Sequence, residues 1–511
     1  MPFSLGQHRQ RNASPPLILA IICGGIFVGA LDQTVVYGAL PDMMSDLHLS
    51  VLQLDRAAWI VIGYLIGYII AMPLMGRVSD VYGHGRIYVL SLSLFMVSSI
   101  FVALAPNLQW MVGARVVQAI GAGAMVPIAM AIVADVFPQR SKVIPLGIIG
   151  GVVEGGSALG PFYGGALAYF LDWRWIFWIN LPISLIVIVL VFFFLKPSPR
   201  VRAKVDYIGG VLLAAALALL SLALWQGSLV DTIGLLAAAI FFFVLFVFRE
   251  VRVSEPLIDF GMFRNITFSS ASITNLFVGG ALIIALVNIP LMSDTILGTT
   301  GLEGGLRLLR LTAMISIGAV AGGFLCRRFG YRLPTMLGLV LSAIGFFFMN
   351  GWALDISDPE MTFHLATCGL GFGLVIAPLA AAVIDSVGEE RRGIGSSLAV
   401  MMRMIGMIIG LSALTSWGMG QFHEMTAGMT LTEILALPEE LIRSILAIFH
   451  DFFLASAGIC LAAILAALWL GKRRGSRITH HGDSASRVSL EQGDAESISF
   501  DGDTFDLVLD D

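Results

Sequence analysis

Apolar residues arrive along this chain as a succession of long runs, each closed by a short polar or basic segment. A membrane-spanning helix needs about 20 such residues. That rule predicts helices near 17–40, 57–76, 87–105, 109–134, 143–170, 175–195, 206–225 and 231–248. Six more fall near 267–292, 304–326, 333–353, 362–386, 394–419 and 450–470. Fourteen spans return the chain to the face from which it set out, so both termini share one side. Arg9 and Arg11 precede the first run, which is too long for the core of a signal peptide and ends in no clear cleavage site, so it reads as a retained first span. The stretch from Gln421 to His450 is the longest connection on the far side, and Leu431–Leu437 and Leu441–Ile448 within it are candidates for short interfacial helices.

Composition agrees with a membrane bundle. Hydrophobic residues make up 57% of the chain and charged ones 13%, against about 25% in soluble domains. The 56 glycines fit close helix packing in lipid, where small residues let backbones approach. Cys23, Cys326, Cys368 and Cys460 lie in or beside apolar runs without paired spacing, which suggests neither a disulfide framework nor a metal site. The net charge of −5 matters less than where the charges sit. On the fourteen-span map, 23 of the 30 Lys and Arg residues fall on the side of the termini, and only Arg56, Arg174 and Arg443 on the other. Basic loops stay cytoplasmic, so both termini are expected in the cytoplasm and the protein in the cell (inner) membrane. After Gly471 the chain turns Ser/Asp/Glu-rich, the composition of a disordered tail.

An internal repeat is visible. Gly76-Arg-Val-Ser-Asp-Val-Tyr-Gly83 follows the second span and Gly323-Phe-Leu-Cys-Arg-Arg-Phe-Gly330 the tenth, both on the basic side. Large transporters are built from such repeats, with one half on each side of a central path. The resulting expectation is a cytoplasmic N-terminus (1–16), a six-helix half (17–195) and an inserted helix pair with its flanking loops (196–266). A second six-helix half (267–471) and the tail (472–511) complete it.

At these motifs the chain resembles the major facilitator superfamily, specifically its fourteen-helix drug:proton antiporter branch. Leu31-Asp32-Gln-Thr-Val-Val, closing at Ala39-Leu40-Pro41, looks like the first-helix signature. Gly76, Asp80, Gly83 and Arg86 match the conformational-switch loop, with Val81 and His84-Gly85 standing where basic residues are usual. Arg115-Val-Val-Gln118 resembles the fourth-helix motif, and Gly150 to Gly165, with Gly156, Gly160, Pro161 and Gly164, the antiporter motif of the fifth. Trp173 to Pro182, with Asn180, resembles the entry to the sixth. Trp59-Ile-Val, Tyr64 to Tyr68, Glu154, Gly371 to Ile376 and Arg403-Met404 are similar to the mycobacterial triacylglyceride exporters. The resemblance implies an all-α integral membrane protein of the major-facilitator fold, two six-helix halves plus the inserted pair. It also implies a proton-coupled exporter of drugs or lipids with no cofactor beyond the proton gradient, and a candidate periplasmic lipid-binding partner. Nucleic acid is no expected partner. Symport of a nutrient and ion-independent lipid handling are the alternatives. No nucleophile–base pair, metal constellation or Walker motif points to an enzyme or to ATP as energy source.

Charges within the spans are the candidate machinery, because each ionised group there costs roughly 2.5–3.5 kcal/mol on insertion scales. Glu154 lies near the middle of the fifth span and Asp32 beyond the middle of the first. A carboxyl group taken out of water binds a proton more readily, so both are candidate proton carriers. The alternatives are a protonated acid bonded to a carbonyl for Glu154 and a structural ion pair for Asp32. Arg403 is the expected partner of a central carboxylate or a contact for an anionic cargo group, and Arg115 a partner for Asp32. Arg307 and Arg310 read as snorkelling side chains, with Glu303 one turn before Arg307 as an ion-pair partner. Trp173, Trp175 and Trp178 read as an interfacial belt. The glycines about Glu154 read as helix packing, not as a phosphate loop.

Overall fold

Hydrocarbon offers no partner for backbone N–H and C=O groups, so apolar runs of this length form helices that satisfy themselves. In the computed structural model of the chain, the described residues are 14–49, 53–138, 143–195, 206–225, 229–253, 256–387, 392–426 and 439–471. Among them are fourteen long helices and no strand. The first half holds α1 (Pro15–Asp46), α2 (Trp59–Tyr82), α3 (His84–Ala103), α4 (Leu108–Val136), α5 (Val143–Phe170) and α6 (Trp175–Phe194). The pair α7 (Tyr207–Trp225) and α8 (Leu229–Glu250) follows. The second half holds α9 (Ile266–Thr295), α10 (Gly301–Phe329), α11 (Arg332–Met349), α12 (Asp358–Ser386), α13 (Arg392–Thr426) and α14 (Glu439–Ala467). Thirteen of the helices are long and apolar enough to cross a membrane, and α5, which carries Glu154 and a run of glycines, packs among them.

Several helices outrun the expected bounds. Hydropathy marks only the part in hydrocarbon, whereas hydrogen bonding carries the helix on into polar residues. Thus α13 has 35 residues, about 50 Å of helix against a hydrocarbon core near 30 Å. Leu441–Ile448 proves to be the first part of α14, not a separate interfacial helix. The Leu431–Leu437 segment, the N-terminal residues 1–13 and the tail from 472 lie outside the described residues.

The sequence repeat is a packing repeat. α1 packs on α5 and α6, as α9 does on α13 and α14; α2 packs on α4, as α10 does on α12; α3 packs on α4 and α6, as α11 does on α12 and α14. Glycines set the closest of these approaches. A Cβ on Gly38 of α1 would collide with the carbonyl of Pro161 on α5, and one on Gly164 with the carbonyl of Val35. In the second half, Gly279 of α9 meets the backbone of Arg403, and Gly406 of α13 that of Leu276.

The halves meet along α5 and α10, but only over the part remote from the termini. There the Gly305 position faces the Pro161 carbonyl, and Thr312 Oγ1 donates to the Ala158 carbonyl at 2.7 Å. Toward the termini, a Cβ on Gly147, Gly150, Gly151 or Gly155 would meet no atom within 4 Å, and Ile144 and Ile148 are exposed. On α10, a Cβ on Gly323, three turns beyond Thr312 on the same face, would likewise meet no atom within 4 Å. The bundle is therefore joined at one end of this seam and open at the other.

The inserted pair occupies the other side. Gly210 of α7 faces Ile70 and Leu74 of α2, and Ser221 shares a small pocket with Trp59 and Ile62 of α2 and with Ser412 and Thr415 of α13. α8 packs mainly on α7 and leaves Ile240, Phe241 and Phe248 to the surroundings. Arg249 Nε donates to Asp206 Oδ1 at 2.8 Å, tying the far ends of the pair together, and Glu250 Oε2 accepts from the Ile258 N–H at 2.9 Å.

Gly38→Ala should lower stability by about 1–3 kcal/mol, because its methyl group has no room against α5. Gly150→Ala, facing open space in a helix, should be neutral or gain up to about 1 kcal/mol. Thermal unfolding of the purified protein in detergent reads both; equal shifts for the two variants would refute this packing.

Candidate transport site

Two ion pairs lie among the spans, and they differ in kind. The first is within one half. Asp32 of α1, fully buried, receives Arg115 Nη1 of α4 on Oδ2 at 2.7 Å. Its Oδ1 accepts from Gln118 Nε2 at 3.2 Å and from Asn180 Nδ2 of α6 at 2.9 Å. Arg115 Nη1 also donates to Gln118 Oε1 at 2.7 Å, and Gln118 Nε2 to Ser99 Oγ of α3 at 2.8 Å. The guanidinium lies 4.0 Å from the ring centroid of Tyr64, whose hydroxyl donates to the Gly29 carbonyl at 3.3 Å. Both carboxylate oxygens are occupied by donors from α4 and α6, at the short spacing of charge-assisted bonds for Arg115. This is a buried hydrogen-bond network that knits α1, α3, α4 and α6 of the first half. Its geometry supports the structural reading of Asp32 and gives Arg115 the role of its counter-charge.

The second pair joins the halves. Arg403 Nη2 of α13 stands 3.4 Å from Glu154 Oε1 of α5. The two residues sit at the same distance from the starts of helices that the packing repeat makes equivalent. The pair is longer than the usual 2.7–2.9 Å of a charge-assisted bond. It is also more exposed: the Glu154 side chain is 42% exposed and that of Arg403 14%, against 0% and 1% for Asp32 and Arg115. Tyr68 of α2 is buried within range of both charges. A contact that is long, half-exposed and shared between two moving bodies can be made and broken without leaving a charge stranded in a dry core.

The glycine motif of α5 packs closely on α1. A Cβ on Gly156 would lie 2.9 Å from the Phe27 carbonyl, and one on Gly160 would collide with Thr34, whose Oγ1 donates to the Ser157 carbonyl at 2.8 Å. Pro161 supplies the carbonyl against which Gly38 rests. The expected switch loop proves to be helical on both sides of Gly83, whose φ is +98°: Gly76, near Pro127, and Asp80, bonded to His84, belong to the last turns of α2, and the exposed Arg86 to the first turn of α3. Glu303 caps α10, accepting from the Thr300 N–H at 3.2 Å, while Arg307 donates to Thr299 Oγ1 at 3.1 Å and Arg310 to Asp358 at 2.8 Å. Trp175 is exposed as a belt residue would be, but Trp173 is buried beneath the guanidinium of Arg174.

Neither charge nor motif spacing singles out Gln118 and Asn180 as Asp32 ligands, or Ser99 as the acceptor behind Gln118. Their one signal is being amide or hydroxyl side chains inside apolar runs, which need partners there.

A two-halved helical bundle, open at one end, with a breakable ion pair between the halves, is the architecture of a polytopic membrane transporter. The chain belongs to the Major Facilitator Superfamily, whose family model matches residues 22–411. It is 34% identical to a triacylglyceride transporter of Mycolicibacterium hassiacum over 92% of this chain and 94% of that one. It is 36% identical to one of Mycolicibacterium smegmatis over 89% and 88%. Its fold is similar to that of a bacterial homolog of the human lysosomal transporter Spinster in an inward-facing conformation, with TM-score 0.66, 17% identity, and 89% and 97% of the two chains covered. The inward-open xylose transporter XylE of E. coli matches with TM-score 0.58 at 15% identity, covering 90% and 97%.

Arg115→Leu should cost about 3–5 kcal/mol, since it leaves Asp32 buried and unpaired. Pairing it with Asp32→Asn should recover most of that loss. The melting temperatures of the two variants check this, and equal destabilisation by the single and double changes would count against the network.

Proposed function

We propose that this protein is a proton-coupled exporter of lipophilic molecules working by alternating access, and that Glu154 carries the proton. The observation that supports it best is the Glu154–Arg403 contact, which joins the halves at mid-depth beside the open part of the seam. An ionised Glu154 satisfies Arg403, and a protonated one frees it, so loading a proton changes the attraction between the halves. In the proposed cycle, a proton from outside neutralises Glu154 while cargo leaves outward. The halves then rock, cargo entering from the cytoplasm drives the proton out to that side, and the ion pair re-forms. The state described here, open toward the termini with the pair made, corresponds to the last of these steps if the termini are cytoplasmic as the basic loops imply. Asp32 and Arg115 hold the first half rigid so that it moves as a body. Gly76, Asp80, Gly83 and Arg86 belong to the α2–α3 junction that rearranges as the open end closes.

For cargo, the relatives named triacylglyceride transporters favour a neutral lipid over a compact polar solute. The open, apolar part of α5, where Ile144 and Ile148 are exposed beside Gly147 and Gly151, agrees, because an acyl chain can lie there without being returned to water. A periplasmic lipid carrier is the kind of partner that would accept such a product.

Glu154→Gln should fold normally yet abolish uphill, proton-driven transport in proteoliposomes while sparing downhill exchange. Full uphill activity in that variant would remove Glu154 from the carrier role. In everted vesicles, acidifying the lumen should drive accumulation of a lipophilic dye or a short-chain triacylglycerol; accumulation only with an alkaline lumen would point to symport.

A further inference from the structure

The α2–α3 junction places an imidazole between two carboxylates. His84, 8% exposed, has Nδ1 2.8 Å from Asp135 Oδ2 at the end of α4 and Nε2 3.1 Å from Asp80 Oδ1 at the end of α2. A neutral imidazole has one donor and one acceptor nitrogen, and an ionised carboxylate only accepts. Both contacts are therefore favourable only when the three groups hold one extra proton, most simply on the ring. Without it, a nitrogen lone pair faces a carboxylate oxygen at hydrogen-bond distance, and one of the two contacts must open.

The second half repeats the geometry with different chemistry. Tyr331 follows Gly330 as His84 follows Gly83, and both glycines have positive φ, +79° and +98°. The Tyr331 hydroxyl donates to Asp385 Oδ2 at the end of α12, the helix equivalent to α4. Arg327 stands at the position of Asp80 in the repeat. A phenol keeps its proton to about pH 10, whereas an imidazole changes charge near pH 6.5. Two equivalent latches thus tie a post-glycine residue to the end of a neighbouring helix, and only one of them depends on a proton in the physiological range.

From this asymmetry we propose that His84 is a second proton-binding site, separate from Glu154, which fastens the ends of α2 and α4 when loaded and releases them when empty. The charged groups facing the ring are Asp80 from α2 and Asp135 from α4. Among the described residues, Leu195 just past α6 packs on Gly85, while Arg86 on α3 itself is exposed. The latch lies at the end of the bundle that bears the termini, so it reads the pH of that compartment. The sign follows from the proton count. The fastened state holds a proton that the released state sheds once the pH exceeds the range of a free imidazole. The latch is therefore complete at low pH and weakens as pH rises, by up to about tenfold in its opening constant per pH unit. Because it anchors the segment from Gly76 to Arg86, it makes the mobility of that segment pH-dependent whatever Glu154 does.

Hydrogen exchange of the full chain in nanodiscs, followed by mass spectrometry from pH 6 to 8.5 and corrected for intrinsic rates, tests this without any transport assay. Residues 76–88 should lose protection with rising pH, up to about tenfold per unit, while the matching residues 323–335 keep theirs. His84→Arg, charged throughout, should flatten the response, and Glu154→Gln should leave it intact. Equal pH profiles for the two segments of the unaltered protein would overturn the proposal, as would a response that disappears in Glu154→Gln. The segment comparison decides the matter even if His84→Arg does not fold.

Discussion

An ionised side chain in the middle of a bilayer has to meet an opposite charge or water, and the arrangement of this bundle follows from how its charges meet that demand. Asp32 and Arg115 solve it permanently, with every carboxylate oxygen occupied and the pair sealed from solvent. Glu154 and Arg403 solve it conditionally, across the boundary between the halves and beside an opening. Breaking the first pair would strand a charge in a dry interior; breaking the second exposes each partner to an opening it already faces. In the proposed cycle the same chemistry thus produces a rigid half in one place and a switch in another, and burial decides which.

The switch needs bodies that move as units. Glycine-mediated contact of α1 with α5, and of α9 with α13, brings backbones close enough that each half behaves as a block. Where α5 leaves α10, the glycines at 147, 150, 151 and 155 face nothing, so motion there displaces no packed side chain. The inserted α7 lies against both α2 and α13, away from the α5–α10 seam.

Much of this was legible in the sequence, for identifiable reasons. Apolar runs of bilayer length fix helix number, and the repeated Gly-x6-Gly loop announces the two halves. The depths of Glu154 and Arg403 in their spans mark them as central. Helix ends were less legible, because α13 and α14 continue through polar residues that hydropathy excludes. The ligands of Asp32 come from α4 and α6, and Ser99 of α3 bonds Gln118 behind them, so no spacing in the chain links Ser99, Gln118 and Asn180. His84 stood out as a departure from a basic pattern. Its partner Asp135 became apparent only when α4 was packed against α2 and α3.

The central claim is that Glu154 exchanges a proton as cargo binds between the halves. Its most direct test is a count of protons released from purified, weakly buffered protein on adding a short-chain triacylglycerol, with cargo binding measured in parallel. Wild-type protein should release protons in proportion to the cargo bound, and Glu154→Gln should bind cargo while releasing none. Undiminished release from Glu154→Gln would contradict the account.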